Sequence, residues 1–272
     1  MLLFYCVVLT VAFLLAAEIG AFVFKRLGGQ SRPTSGIPLD GATALLGLLI
    51  GFTFVMAADR FETRRELVVA EANALSTTYL RDAMLPGPSG ARLGALLSDY
   101  GRTRLAFFDA REDKALLARS AARTSLLQDA IWKETTLALR APQAAPLATA
   151  VLTTTNEMFD LAASRQAALD ARVPAPMFAL LIFCGLITAA LNGYNMAAQG
   201  PHHRVAVTSF LVMVAVSIVV VEDLDTPRSG FVTVPQGPMI NCVADIEARE
   251  ARRESFTLPD SPQSSAGTSA PQ

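Results

Sequence analysis

The stretch that decides the fold is residues 41–65, GATALLGLLIGFTFVMAADRFETRR. Residues 41–58 carry no charge, whereas five of the seven residues from 59 to 65 are charged. The uncharged run is close to the roughly 17–25 residues that a helix needs to cross a hydrocarbon core of about 30 Å. Its composition therefore predicts a membrane span that ends in water near residue 59.

Three further runs have the composition of membrane spans: residues 2–24, with Glu18 as their one charge, residues 175–197 and residues 205–221. Only 17% of the chain is charged, against about 25% in a typical soluble domain. A signal peptide is the alternative for residues 2–24, but no basic residue precedes Glu18 and the run exceeds the usual apolar region of such peptides. We therefore predict four transmembrane helices in a lipid bilayer, with the first retained as an anchor.

Apolar residues at helical spacing predict further helices between the second and third spans. The helix breakers there are Pro86-Gly87-Pro88, Pro142, Pro146, Pro174 and Pro176. They separate predicted helices near residues 59–84, 89–109, 112–140 and 146–172. Because no Pro or Gly interrupts positions 52–84, we predict one continuous helix over residues 41–84.

These elements predict an all-α fold, with four transmembrane helices in two hairpins and a helical bundle domain inserted between spans two and three. The predicted boundaries are a first transmembrane hairpin over 1–58 (spans about 2–24 and 41–58), a helical domain over 59–173, a second transmembrane hairpin over 174–221 (spans about 175–197 and 205–221), a membrane-proximal segment over 222–254 and a disordered tail over 255–272.

Basic residues near the span ends predict the orientation. The side of the middle domain and termini has the larger number: Arg60, Arg64, Arg65, Arg165, Arg172 and Arg228, against Lys25, Arg26, Arg32 and Arg204 on the loop side. Basic residues favour the cytoplasmic face. The excess predicts that the middle domain and both termini lie in the cytoplasm.

Several classes of protein are excluded by composition and motifs. The net charge of −1 gives no basic excess for nucleic acid. The three cysteines, Cys6, Cys184 and Cys242, form no C-x-x-C pair, which argues against a disulfide framework or a zinc site. The sequence has no G-x-S-x-G, P-loop or H-E-x-x-H motif, and its two histidines share one loop. We predict no enzyme activity, no cofactor and no metal site.

One stripe of the second span is a candidate pore lining. Its members follow one side of the helix and are all apolar: Leu45, Leu49, Phe52 and Met56, with Leu48 as an alternative to Leu49. A ring of such side chains can gate by dewetting, but the stripe suits lipid or core contact equally well. Gly47 and Gly51 add a G-x-x-x-G step, which indicates close approach of a neighbouring helix. That helix is either in another subunit or in the same one.

A second candidate group lies at the membrane edge, where charges follow the second and fourth spans. Its members are Asp59, Arg60, Glu62, Arg64, Arg65, Glu222, Asp223, Asp225 and Arg228. Charges near a membrane edge are expected to pair, so we expect at least one of the three arginines at 60, 64 and 65 to contact an acid at 222, 223 or 225. A calcium site built on the three acids is the alternative, although their spacing lacks a ligand-positioning glycine.

The sequence resembles a known family in these same stretches. The run Leu45-Leu46-Gly47, with Phe52 and Phe54, followed by Asp59-Arg60-Phe61-Glu62-x-Arg64, resembles the second span of bacterial bestrophins, although it is one aromatic residue short. Taken whole, the chain is similar to a family of bacterial integral membrane proteins described as bestrophin-like. The other positions that carry the resemblance are Asn73, Asn156-Glu157-Met158, Arg172-Val173-Pro174 and Asp223-Leu224-Asp225-x-Pro227-Arg228.

The resemblance implies a function and a location. Bestrophins are pentameric anion channels, whose constriction is lined by apolar residues of the second span. The resemblance thus implies a homo-oligomer in the bacterial inner membrane that passes small anions passively. The alternative is a non-conducting membrane-anchored helical protein that binds a cytoplasmic partner or scaffolds a complex.

Overall fold

The structure is a computed structural model that describes residues 2–27, 37–199 and 204–257. Within these ranges the chain is helical and contains no strand. The α-helices are α1 (Leu2–Arg26), α2 (Ile37–Asp82), α3 (Ser89–Asp109), α4 (Lys114–Ala138), α5 (Ala148–Asp170), α6 (Ala175–Gln199), α7 (Arg204–Asp225) and α8 (Gly237–Thr257), and a short 3-10 helix covers Pro142–Leu147.

Four helices are long and apolar enough to cross a membrane: α1, α2, α6 and α7. They match the four spans that the uncharged runs predict. The protein is therefore an integral membrane protein of all-α fold. The connections at 28–36 and 200–203 lie outside the described residues, so the pairing of the spans into hairpins stays a prediction.

α2 is one helix from Ile37 to Asp82, as the absence of breakers predicts. It ends two residues earlier than expected, ahead of the Pro86-Gly87-Pro88 turn. Gly87 takes a φ of +73°, a left-handed conformation that is free of strain only for glycine. The end of the helix is thus fixed by the turn that follows it.

The chain divides into two compact units. The first consists of Met1–Val68, Arg111–Asp113 and Ala162–Pro235, and it contains α1, α6, α7 and the first part of α2. Its core includes Phe13, Leu46, Leu181 and Ile218, each at most 1% exposed.

Close backbone contact holds α1 against α6 in this unit. A methyl group added to Gly20 would collide with the carbonyl of Ala190, and one added to Gly193 would collide with the carbonyl of Ala17. Small residues allow such an approach between helices in lipid, where there is little hydrophobic driving force. The edge-to-face contact of Phe24 on Tyr194 extends the same interface.

The second unit consists of Val69–Ala110, Lys114–Leu161 and the chain from Gln236 onwards. Its core includes Leu75, Leu93 and Ile131, all fully buried. It also holds a buried ion pair in which Arg104 donates to Glu71. The helices α3, α4 and α5 agree with the predicted ones to within two residues at most ends.

The sequence analysis missed α8, which packs against α3 in the second unit. Its buried face consists of Met239, Cys242, Val243 and Ile246, at the spacing of an amphipathic helix. α8 continues to Thr257, so the predicted disordered tail begins at least three residues too early. Residues 258–272 of that tail lie outside the described part of the chain.

Candidate functional site

One face of α2 in the first unit is open along its whole length. About half of the helix surface is exposed, and within it one line of positions is spaced alternately by three and four residues. We call this line the open face: Leu45, Leu48, Phe52, Val55, Asp59, Glu62 and Glu66. Phe52 is 62% exposed and Val55 is 65% exposed although both lie in an apolar span. This alternating spacing is typical of the seam by which one helix packs against another.

Gly47 and Gly51 flank the open face. A methyl group added to either would meet no described atom within 4 Å. Packing of this G-x-x-x-G step inside one subunit, one of the two interpretations of the sequence, is therefore wrong for the described part of the chain. The small residues that bring helices together within the subunit are instead Gly20 and Gly193.

The open face differs in part from the predicted pore stripe. Leu45 and Phe52 belong to it, as the sequence predicts. Leu49 and Met56 turn inward and are partly buried, Leu49 against the core around Phe13 and Met56 beside Ala57. Leu48 and Val55 take their places, because one residue along a helix is a rotation of about 100°.

The opposite face of α2 is buried through contacts within the unit, and we call it the buried face. It includes Leu46, Thr53, Ala57 and Arg64, all at most 2% exposed. Thr53 Oγ1 donates to the carbonyl of Leu49, 2.7 Å away, which satisfies its hydroxyl inside the helix. Arg64 is the only charged member of this group, and its charge requires partners.

Those partners are mainly backbone carbonyls. Arg64 Nε donates to Ala168 O at 2.9 Å and Nη2 donates to Ala171 O at 2.6 Å, at the C-terminal end of α5. Nη1 donates to Leu224 O at 3.3 Å near the end of α7. Carbonyls at a helix C-terminus lack helical donors and carry partial negative charge, so a guanidinium is well suited to them.

An ion pair completes this arrangement. Arg64 Nη2 lies 3.7 Å from Asp225 Oδ1, and the same carboxylate accepts the N–H of Val173 at 3.0 Å. The expected contact between an arginine after the second span and an acid after the fourth is confirmed. Arg64 thus ties α2 to the end of α5, to the start of α6 and to the end of α7.

Asp223 binds backbone N–H groups and, among the described residues, no arginine. Its carboxylate accepts the N–H groups of Phe231 and Val232, both at 2.9 Å. Gly230, which directly precedes Phe231, has a φ of +137°, and any side chain there would collide with Asp223 Oδ1. Within the described residues no group of three or more His, Cys, Asp or Glu could hold a metal ion. The calcium alternative therefore has no structural support there, because Asp223 and Asp225 are engaged by N–H groups.

The remaining charges of the predicted membrane-edge cluster have several environments. Arg65 Nη1 lies 3.2 Å from Glu62 Oε2 on the surface. Asp59 is exposed, Arg60 is half-buried and Arg228 is buried. Glu222 borders a cavity at the end of α7. The charged members of the open face are acids, whereas Arg64 belongs to the buried side of the helix.

The resemblance positions in the second unit are mixed. Asn73, Asn156 and Glu157 are exposed, while Met158 is fully buried. Arg172, in the first unit, pairs with Glu112 at 3.1 Å on the surface.

Comparison with known proteins gives one family and one fold. A family model described as Bestrophin-like domain matches residues 10–239. A bacterial bestrophin homologue from Klebsiella pneumoniae is similar with a TM-score of 0.67 at 14% identity, over 95% of this chain and 100% of that chain. A variant of it gives a TM-score of 0.68 at 13% identity, over 90% and 98%. A structure described as a membrane protein gives 0.69 at 12% identity, over 90% and 98%. No curated protein sequence matches the chain.

Proposed function

The chain belongs to the Bestrophin-like domain family, and we propose that it is a subunit of a homo-oligomeric passive ion channel whose apolar neck is the open face of α2. One observation carries the proposal: within an apolar span, a line of large side chains is more than half exposed, and a methyl group added to either glycine of the G-x-x-x-G step beside it would meet no described atom within 4 Å. If copies of α2 surround an axis, both the exposed side chains and the G-x-x-x-G step would lie where one subunit meets the next or where the pore runs.

The glycines beside the open face support helix association more than simple lipid contact. Lipid-facing positions need only be apolar, whereas a G-x-x-x-G step favours close approach of a neighbouring helix. Phe52 has the largest side chain of the apolar part of the face. A ring of Phe52 side chains would close the neck by dewetting and would need no ion-binding group.

The conducted ion is proposed as an anion on the strength of the family. Arginines at the mouth of the neck would attract anions, and three of them follow the second span, at positions 60, 64 and 65. In the structure Arg64 is committed to carbonyls and Asp225, and Arg60 is half-buried. Only Arg65 stays exposed, and it is paired with Glu62.

The same geometry favours a second candidate, a cation-conducting form of the channel. Asp59, Glu62 and Glu66 continue the open face directly beyond Val55. Rings of carboxylates at a pore mouth raise the local concentration of cations and lower that of anions. The sign of the reversal potential under a KCl gradient distinguishes the two candidates.

Flux from purified protein in liposomes tests the proposal. Phe52→Ala should raise the flux, because a smaller apolar side chain wets more readily. The matched control is Phe183→Ala, since Phe183 is 60% exposed on α6 and is equally apolar. The control should leave the flux unchanged. Absence of flux from a folded, oligomeric protein and from its Phe52→Ala variant would support the alternative, a non-conducting anchored protein that binds a cytoplasmic partner.

The proposed orientation is that of a multi-pass protein of the bacterial inner membrane. Its spans form two hairpins, and the helical domain between spans two and three faces the cytoplasm together with both termini. A reporter enzyme that is active only in the periplasm, fused after Arg140, should be silent. Strong reporter activity would reverse the orientation.

A further inference from the structure

A cavity of about 360 Å³ lies in the first unit, where the first turn of α1 meets the end of α7. Leu2 and Leu3 form one wall, and the turn after α7 forms another with Thr226, Ser229 and Phe231. Glu222, in the last turn of α7, lies between them. The volume is within the usual range for small-molecule sites.

Glu222 supplies the charge of the cavity. Its Oε2 atom is buried, and no described residue gives it a hydrogen bond. The neighbouring acids are engaged, Asp223 by backbone N–H groups and Asp225 by Arg64. A buried carboxylate oxygen without a donor is costly. The complementary ligand therefore brings N–H donors and a positive charge.

A metal ion does not fit these surroundings. Calcium takes 6–8 oxygen ligands at short distance, and magnesium needs a near-ideal octahedron. The cavity offers one carboxylate and is far wider than a single ion. The hydroxyl of Thr226 already donates to the carbonyls of Glu222 and Asp223. An ammonium group needs only the carboxylate and a few acceptors, so it is the better match.

The mouth of the cavity indicates what the ammonium group is attached to. Leu3 is 74% exposed and Phe231 is 84% exposed, and both border the cavity. Leu3 lies in the first turn of α1 and Phe231 follows α7, and both helices are long and apolar enough to cross a membrane. The ends of such helices are expected near the lipid headgroups. Exposed apolar side chains beside a buried carboxylate suit an amphiphile, whose chains cover Leu3 and Phe231 while its headgroup enters.

We propose that this cavity binds the headgroup of an aminophospholipid, with Glu222 as the counter-ion of its primary ammonium group. The site is separate from the open face of α2 and does not depend on conduction. Ser229, which is half-buried on the cavity wall, is placed to donate to the phosphate.

Lipid binding to the purified full-length protein tests the proposal. Phosphatidylethanolamine, phosphatidylcholine and phosphatidylglycerol with identical acyl chains are added in detergent, and bound lipid is counted by native mass spectrometry. Phosphatidylethanolamine should bind tightest, because choline has no N–H donors and glycerol has no positive charge. Glu222→Gln should weaken its binding roughly tenfold or more, since hydrogen bonds to charged groups are the stronger ones.

The controls separate this site from general lipid adhesion. Glu62→Gln removes an exposed acid of α2 and should leave phosphatidylethanolamine binding unchanged. Ser229→Trp fills the cavity without changing its charge and should abolish the preference, which keeps the test decisive if Glu222→Gln fails to fold. Equal binding of the three lipids, or an unchanged preference in Ser229→Trp, would overturn the proposal. So would stabilisation by free calcium that Glu222→Gln removes.

Discussion

The two faces of α2 in the first unit differ in what completes them. The buried face is complete within one chain: Leu46 and Ala57 pack in apolar cores, and Arg64 has carbonyl and carboxylate partners. The open face has apolar residues of similar size, yet Phe52 and Val55 are more than 60% exposed. The same helix therefore carries one face that packs within the subunit and one that stays exposed, which we propose to be the contact with other copies.

The comparison of the two faces also shows which glycines contact a neighbouring helix within the subunit and which do not. Gly20 and Gly193 bring α1 and α6 into backbone contact, so their lack of a side chain is already used. Gly47 and Gly51 have the same character but open surroundings. A G-x-x-x-G step in the sequence is thus not enough to say which contact it serves. The occupied pair defines the subunit, and the free pair is available for assembly.

The largest expected effect comes from a substitution of Arg64 in the buried face of α2. Arg64→Met leaves the carbonyls of Ala168 and Ala171 and the carboxylate of Asp225 without their donor, so unfolding should become easier by about 3–5 kcal/mol. Arg65→Met is the control, because an exposed pair such as Arg65–Glu62 contributes only about 0–1 kcal/mol. Chemical denaturation in detergent measures both. Equal loss in the two variants would contradict the assignment.

A charge swap should not rescue this site. Arg64→Glu with Asp225→Arg would restore opposite charges, but the new carboxylate would face the carbonyls that now accept from the guanidinium. Acceptors facing acceptors repel. Recovery of more than half of the lost stability would show that the ion pair, and not the carbonyl contacts, dominates.

The next largest expected effect concerns Asp82, which lies in the part of α2 that belongs to the second unit, beyond the membrane span. Asp82 is fully buried, and no described residue donates to its carboxylate oxygens. Burial raises the pKa of Asp82 from 3.8 to about 7. The folded protein thus keeps this proton between pH 4 and 7 while the unfolded chain releases it, so this group makes stability fall over that interval and stay level above it.

Asp82→Asn should remove the cost of this charge. The variant should exceed the parent in stability by roughly 2–4 kcal/mol at pH 8, at about 1.4 kcal/mol per unit of pKa, and match it near pH 4. Thermal unfolding from pH 4 to pH 8 measures the difference. A constant gap across this range would mean that the carboxyl group is ionised, or neutral, at every pH.

Substitutions of glycine test the difference between a helix face that packs within the subunit, at Gly193, and one that is exposed, at Gly51. Gly193→Ala collides with the carbonyl of Ala17 and should destabilise the subunit by about 1–3 kcal/mol. Gly51→Ala has open space and should leave the stability of the dissociated subunit within about 0.5 kcal/mol. Gly51→Leu should still weaken the oligomer. Light scattering gives the oligomeric state, and an unchanged assembly in Gly51→Leu would remove that face from the interface.

The smallest effect concerns charge at the end of the open face. Asp59→Asn combined with Glu62→Gln should shift the permeability ratio toward chloride by at most about fivefold, because exposed charges interact by only about 1 kcal/mol at 4 Å in water. The reversal potential in a KCl gradient measures the shift. The matched pair Asp109→Asn and Asp113→Asn removes two exposed acids at the end of α3 and in the turn after it, and it should not move the reversal potential. A shift toward potassium would mean that these acids do not face the permeating ion.

Local composition predicted the membrane spans and the length of α2. Uncharged runs of sufficient length identify α1, α2, α6 and α7, and the absence of Pro and Gly between positions 52 and 84 predicted the continuity of α2. Family membership was also predictable, because the longest of the motifs that carry the resemblance lies in the second span and the residues directly after it. These features need no knowledge of which helices are neighbours.

The contacts of the site required the fold. Arg64 binds mainly backbone carbonyls. Every residue has a carbonyl, so residue types do not show which ones an arginine will contact, and the sequence predicted only the pairing of the arginine with an acid. Leu49 and Met56 were assigned to the pore because the apolar stripe is broad, and only their packing shows that they turn inward. α8 was not predicted because its four buried residues are followed directly by a strongly charged segment, and its buried face is recognisable only against α3.

Modification of single cysteines tests the central claim most directly. Phe52→Cys and the control Phe183→Cys are made in a chain with Cys6, Cys184 and Cys242 replaced by alanine, and flux in liposomes is followed while a charged, thiol-reactive reagent is added. If the open face of α2 is the neck, the reagent should block flux through Phe52→Cys and leave flux through Phe183→Cys unchanged. Unchanged flux through a fully modified Phe52→Cys protein would contradict the account.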